Sequence, residues 1–266
     1  MDDSILNNFK NWFSAYCLSY CDKGEDLARN IKLKEIHTAY VRNNILLIAR
    51  SLSLSEQWQK IAEAAALFHD IGRFAQVAKY GTFEDRKSEN HGILGFKILI
   101  EKEILKKMPI KEEELILTAV KYHNAFSLPE KLDKDSILLL KMLRDADKLD
   151  IWRVLLDFYD QPLEKRASAP GFGLPNTDGY NIEAINSAFN KRVIYISQLK
   201  SQNDIRLMQL SWIFDLNFKE TYRLLLERDY INRISATISD SDEIRQLNIF
   251  LHEYVKEQLI PSCVQK

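Results

Sequence analysis

Helix breakers are scarce in this chain. Glycine (8) and proline (6) together make up 14 of 266 residues, about 5% where a soluble domain usually carries about 12%. So few leave little room for the frequent tight turns of a β-sandwich or barrel, and they favour long helices. Cysteine is also sparse, with Cys17, Cys21 and Cys263 alone. An odd number in a long chain argues against a disulfide framework. Cys17 and Cys21 lack the second pair that would complete a four-ligand zinc site, and they read as buried or half-buried thiols.

A surplus of either charge is missing too. Lys and Arg total 37 against 38 Asp and Glu, for a net charge of −1. A domain that grips a nucleic-acid backbone normally shows a basic surplus or stripe, so no nucleic-acid partner is expected. No uninterrupted apolar run approaches the ~18 residues of a membrane span, and the opening MDDSILNNFK lacks the apolar core of a signal peptide. The expectation is a cytoplasmic protein without a membrane partner. The sequence gives no reading of oligomeric state.

What the chain does contain is helical periodicity in an ordinary globular mix, 46% apolar and 28% charged. From residue 4 to residue 70 apolar positions recur at three- and four-residue steps, as in Ile45/Ile48/Ala49 and Ile61/Ala64/Ala65/Phe68, the stripe of amphipathic helices. Ser53 or Ser55 is placed to cap a helix running from about Gln57 to His69 and stopping near Gly72. Residues 72–90, polar and with two glycines, read as a long loop. Helical pattern resumes at His91–Lys107, Glu112–His123 and Ser136–Tyr159. Residues 161–180 gather six of the 14 breakers and read as a loop or lid. Periodicity returns from Ile182 to Val255. The expected architecture is all-α, with a helical core over 1–160, the lid over 161–180 and a helical extension over 181–266 packed on the same domain.

Chemistry concentrates in the histidines. There are five, His37, His69, His91, His123 and His252. His37 lies mid-helix in KEIHTAY, His69 precedes Asp70 in ALFHDIGR, His91 opens a helix in SENHGILG and His123 closes one in VKYHNAF. Asp147 falls in the apolar run LLLKMLRDADKLDIW, where a lone carboxylate is costly to bury unless paired or metal-bound. Arg144 or Lys148 offers it an ordinary ion pair. Helix bundles build metal sites from side chains projecting inward off facing helices. Imidazole suits Fe, Zn, Ni or Mn, and a carboxylate can bridge two ions. Six such residues are too many for one four-coordinate zinc and suit a two-metal site with open positions. His252, in FLHEYV, reads as a structural or surface residue, and Trp12, Trp58, Trp152 and Trp212 as core or interface.

At these residues the sequence resembles the HD superfamily of metal-dependent phosphohydrolases, over about residues 30–155. The matching pieces are His37, His69-Asp70 within LFHDIGR and Asp147 within RDADKLD; His91 and His123 resemble its six-ligand branch. The resemblance implies an all-helical fold in which one metal takes His37, His69, Asp70 and Asp147, and a second takes His91 and His123, with Asp70 bridging. It implies two divalent transition metals (Fe, Mn, Zn, Ni or Co) rather than Mg alone. Asp70 would orient a metal hydroxide for in-line attack on phosphorus. Arg73 matches the basic residue of the HDIGK/R motif and would hold a substrate phosphate, with Lys148 a second such candidate. Glu84 and Asp85 read either as an acid/base pair or as a solvated loop, and Asp150 as a support for a ligand. His123 is followed by Asn124 and Ala125, where the cyclic-dinucleotide branch has a second histidine and a Gly-Tyr-Pro segment, which speaks against that substrate.

The expected activity is hydrolysis of a phosphate ester of a nucleotide or other small phosphorylated metabolite. The same ligand order is similar to the mixed-valent di-iron oxygenases of this fold. A non-catalytic domain that senses a nucleotide is the third reading.

Overall fold

The structure is a computed structural model that describes residues 1–21, 24–160 and 174–260. All regular structure among them is helical. They divide into two compact units, one of residues 1–151 and 158–160, the other of 152–157 and 174–260. Residues 161–173 of the expected lid, and Cys263, lie outside the described residues.

The first unit begins with α1 (Asp3–Leu18), capped by Asp2, whose carboxylate accepts from the Ile5 amide. It buries Phe9 and Phe13, which meet Phe68 and Phe74 edge-on at 5.3 and 5.7 Å between ring centroids. Cys17 is buried and Cys21 half-buried. The long α2 (Glu25–Ser51) buries one stripe, from Ile31 through His37 and Val41 to Ile45 and Ile48, against α3 (Glu56–Phe68). Ser55 caps α3, its hydroxyl accepting from the Trp58 amide. The run of alanines from Ala64 to Ala66 is fully buried, and such small side chains let a neighbouring helix approach closely.

The chain then departs from the expected long loop at 72–90. Residues Ile71–Tyr80 form α4, and only 81–90 are non-helical apart from a single turn at Asp85–Lys87. Ile71, Phe74 and Val77 supply its buried face. Gly72 does not end a helix; it lies where α4 crosses α5 (His91–Glu101). A Cβ on Gly72 would stand 2.2 Å from the His91 carbonyl oxygen. The stop is Gly81, whose left-handed φ of 67° closes the helix as glycine does without Cβ strain.

Gly92 on α5 abuts α6 (Ile110–Tyr122) in the same way, 2.9 Å from the Lys121 carbonyl oxygen if given a Cβ. The long α7 (Lys134–Asp160) completes the set and passes from the first unit into the second. The second unit gathers α8 (Ile182–Phe189), α9 (Gln202–Ser211), buried from Asn203 onward, α10 (Lys219–Glu227), α11 (Tyr230–Ser235) and α12 (Asp242–Leu259). The Trp152 indole donates to the Gln209 carbonyl at 3.0 Å and lies 6.0 Å from the Tyr230 ring. His252 is half-buried on α12 and bonds Asn232 Oδ1 at 3.0 Å. Among the described residues no helix is long and apolar enough to cross a membrane.

Candidate metal centre

Five helix features deliver the candidate residues. His37 projects from the middle of α2. His69 caps the C-terminus of α3, and Asp70, at φ −100° and ψ 15°, is the non-helical hinge before α4. His91 is the first residue of α5, His123 caps the end of α6, and Asp147 lies in α7. The structure brings all six together, and every imidazole and Asp70 is buried.

Asp70 lies between two pairs of imidazoles. Its Oδ2 is 3.5 Å from both His37 Nε2 and His69 Nε2. Its Oδ1 is 3.4 Å from His91 Nε2 and 3.7 Å from His123 Nε2. Asp147 Oδ1 joins the first pair, 3.1 Å from His37 Nε2 and 3.7 Å from His69 Nε2. Among the described residues, His37, His69 and Asp70, and again Asp70, His91 and His123, form groups whose ligand atoms lie within 4.8 Å of one another.

The outer ring nitrogens decide what the inner ones can do. His69 Nδ1 donates to the Ala66 carbonyl at 2.7 Å and His123 Nδ1 to the Val120 carbonyl at 2.8 Å. A carbonyl only accepts, so these rings carry their proton on Nδ1. His37 Nδ1 faces Asp150 at 2.7 Å and His91 Nδ1 faces Asp85 at 2.8 Å, and those carboxylates impose the same tautomer. Every neutral ring therefore turns an Nε2 lone pair inward. His91 and His123 point theirs at each other across 3.0 Å, and His37 and His69 across 3.2 Å. Facing lone pairs repel unless positive charge stands beside them. Four imidazoles with fixed outer protons and two carboxylates are a donor set that fits divalent transition cations.

Electrostatics agree with that fit. Burial lowers the pKa of His69 to about 4, against the pull of Asp70 and Asp147. Burial and then Arg73 lower that of His91 to about 3. Both rings are thus neutral at physiological pH. For His37, burial and Lys34 oppose protonation, but hydrogen bonds to Asp147 and Asp150 outweigh them and raise its pKa. Its surroundings favour positive charge at Nε2. Asp70 and Asp147 both lie below the ordinary carboxylate range. Burial opposes this in each, while Lys34 and His69 hold Asp70 ionised, and His37 does so for Asp147.

The supporting residues were only partly readable. Asp85 is half-buried and hydrogen-bonded within the site rather than loose in a solvated loop. It accepts from Gln76 Nε2 at 2.9 Å, Arg73 at 3.1 Å and Asn124 Nδ2 at 3.0 Å while fixing His91. Burial opposes the shift, but the bond and charge of His91, with Arg73, lower its pKa to about 2. Glu84 pairs with Lys87 at 2.8 Å instead. Asp150 supports His37, as expected of it. Arg144 donates to the His123 carbonyl at 3.2 Å and to that of Ala125, anchoring the end of α6. Lys148 is half-buried, one residue past Asp147. Arg73 has its NH1 edge held by Gln76, the Phe83 carbonyl and Asp85, with Nε 3.6 Å from Asp70 Oδ1. Lys34, unnoticed in the sequence, reaches Asp70 Oδ2 at 2.6 Å. Its one available signal was its place three residues before His37 on a helix, which sets both on one face.

Residues 35–152 match a family model described as the HD domain. No curated protein and no solved structure matches the chain.

Proposed function

Residues 35–152 are an HD domain, and from that premise we propose that the chain is a metal-dependent phosphohydrolase acting on a nucleotide or other small phosphorylated metabolite. The observation that supports it best is the carboxylate of Asp70, which offers one oxygen to each of two imidazole pairs whose outer nitrogens are all held by acceptors. His37, His69, Asp70 and Asp147 would hold one cation, and Asp70, His91 and His123 a second. Two divalent metals so placed supply charge for phosphate oxygens and make water a nucleophile at neutral pH.

The chain's own groups do the rest. Asp150 and Asp85 fix the ring planes of His37 and His91 and strengthen their basicity, as carboxylates behind ligating imidazoles do. Arg73, anchored along one edge, holds its guanidinium beside Asp70 and presents it to a substrate phosphate. Asp70 stays ionised throughout, because Lys34 and the imidazoles around it favour the anion.

The test is metal analysis of protein purified without chelator, followed by a panel of phosphorylated metabolites assayed with the metals found. Phosphate or nucleoside release is expected from wild type. A loss of about 100-fold or more is expected from His69→Ala and Asp70→Ala, as for groups that act as a unit. Equal turnover in all three proteins would assign the activity elsewhere. Substrate-dependent oxygen uptake without phosphate release would replace this reading with the di-iron oxygenase.

A further inference from the structure

We propose that Lys34 is a catalytic residue that, together with Arg73, clamps the phosphoryl group of the substrate from the two sides of Asp70. The proposal rests on the phosphohydrolase reading and names the cation that reading left open.

Asp70 has a side-chain cation on each of its oxygens. Lys34 Nζ is 2.6 Å from Oδ2, the oxygen facing His37 and His69. Arg73 Nε is 3.6 Å from Oδ1, the oxygen facing His91 and His123. Each cation stands three residues from a member of the centre on the same stretch of chain, Lys34 before His37 and Arg73 after Asp70. Both are carried to the same place by backbone that already positions a candidate ligand.

The two cations share one further neighbour. Lys34 Nζ lies 5.3 Å from the centroid of the Phe83 ring, and the Arg73 guanidinium carbon lies 5.6 Å from it. A ring within about 6 Å attracts a cation but leaves its N–H groups unspent. Phe83 also accepts from Arg73 through its carbonyl. One residue of the 81–90 segment therefore sets the spacing of both. Lys34 and Arg73 each remain 16% exposed, while the imidazoles they flank are at most 5% exposed. Both cations thus stand further out than the imidazoles they flank.

Chemistry gives this arrangement a purpose. A phosphate monoester dianion drawn to a centre that holds divalent cations has more oxygens than those ions take. A protein cation on either side of Asp70 offers the remaining oxygens charge-assisted hydrogen bonds. The lysine supplies a compact point charge on a flexible stem, free to move from Asp70 Oδ2 to a phosphate oxygen, and the arginine a fixed fork. Lys34 is in direct contact with Asp70.

The experiment compares wild type, Lys34→Met and Lys34→Arg, each loaded with Mn. Metal content is measured by elemental analysis, orthophosphate affinity by calorimetry, and kcat and KM on a phosphate ester that wild type hydrolyses. Lys34→Met is expected to keep the wild-type metal content, to bind orthophosphate at least about tenfold more weakly and to lose kcat/KM by a similar factor or more. Lys34→Arg is expected to recover phosphate affinity to within about threefold, which a methionine variant failing merely to fold would not predict. Wild-type phosphate affinity in Lys34→Met overturns the clamp while leaving the phosphohydrolase reading intact. Loss of metal in Lys34→Met overturns it in favour of a role in assembling the centre. A wild-type protein that neither binds orthophosphate nor cleaves any ester overturns both.

Discussion

Asp85 shows how much one side chain outside the imidazole set can carry. It joins His91, Arg73, Gln76 and Asn124, so a single carboxylate links a candidate ligand to a candidate phosphate-binding arginine. Removing a carboxylate behind a ligating histidine typically costs 10–100-fold in metal affinity. Asp85→Ala is therefore expected to weaken one of two metal equivalents by about that factor in a chelator competition, with the other equivalent unchanged. Unaltered binding of both would mean that His91 needs no orientation. The imidazoles also set an acid limit in protein stripped of metal by chelator. His69 and His91 titrate near 4 and 3 in the fold against about 6.5 in an unfolded chain. Below pH 6.5 the unfolded state takes up protons that these rings refuse, so stability falls on acidification and is lost progressively down to pH 4 and 3. His37, with its raised value, has the opposite sign: its contribution is complete below pH 6.5 and fades as pH rises through its folded pKa. Below pH 6.5 the change therefore comes from His69 and His91, at about 1.4 kcal/mol per pK unit. Urea unfolding of the stripped protein should lose several kcal/mol between pH 6.5 and 4, and a flat profile would contradict the neutral-ring assignment.

Among the elements, α4 is where sequence and structure part. Its apolar positions Ile71, Phe74 and Val77 are a helical stripe, but Gly72 beside His-Asp looks like a stop, and the polar residues that follow look like a loop. The glycine serves a crossing instead. That distinction depends on the neighbour across the contact, the His91 carbonyl, which no local pattern contains. The six candidate ligands were legible for a different reason: imidazoles and carboxylates at the ends or on the inner faces of apolar helices are costly unless they share a purpose. Lys34 and Asp85 were not legible, because a lysine on a helix and an acidic residue in EDRK are ordinary surface choices until tertiary structure turns them inward. The crossing itself can be tested. Gly72→Ala would drive a methyl into backbone at 2.2 and 2.7 Å, with no flexible side chain to yield. Destabilisation of about 3 kcal/mol or more is expected, at or above the usual upper range for overpacking, together with loss of metal through displacement of His91. Gly95→Ala, whose nearest neighbour is the Ile71 methyl at 3.1 Å, should cost less than half as much. Equal thermal unfolding of the two variants would show that α4 and α5 separate more easily than their contact suggests.

Across the whole molecule the two compact units owe their stability to different things. The second rests on apolar packing around Trp152 and on buried hydrogen bonds such as those Asp204 accepts from the amides of Asn181, Lys200 and Ser201. The first has at its centre four imidazoles and two carboxylates, with the Nε2 atoms of His91 and His123 facing each other at 3.0 Å. Cations bound there would join the helices that deliver these residues, α2, α3, α5, α6 and α7, and a ligand at 100 times its Kd adds about 2.7 kcal/mol to the state that binds it. For a chain of this length that is a shift of about 5–10 °C in Tm per site. Chelation should lower the transition by that order, and hydrogen exchange followed by mass spectrometry should localise the loss. Amides of α2 to α6 should exchange faster without metal, while those of α8 to α12 keep their protection. Exchange that quickens equally throughout the chain would mean that the metal stabilises the molecule as one cooperative whole. Exchange that quickens nowhere would mean that the imidazole cluster carries no cation under the conditions used.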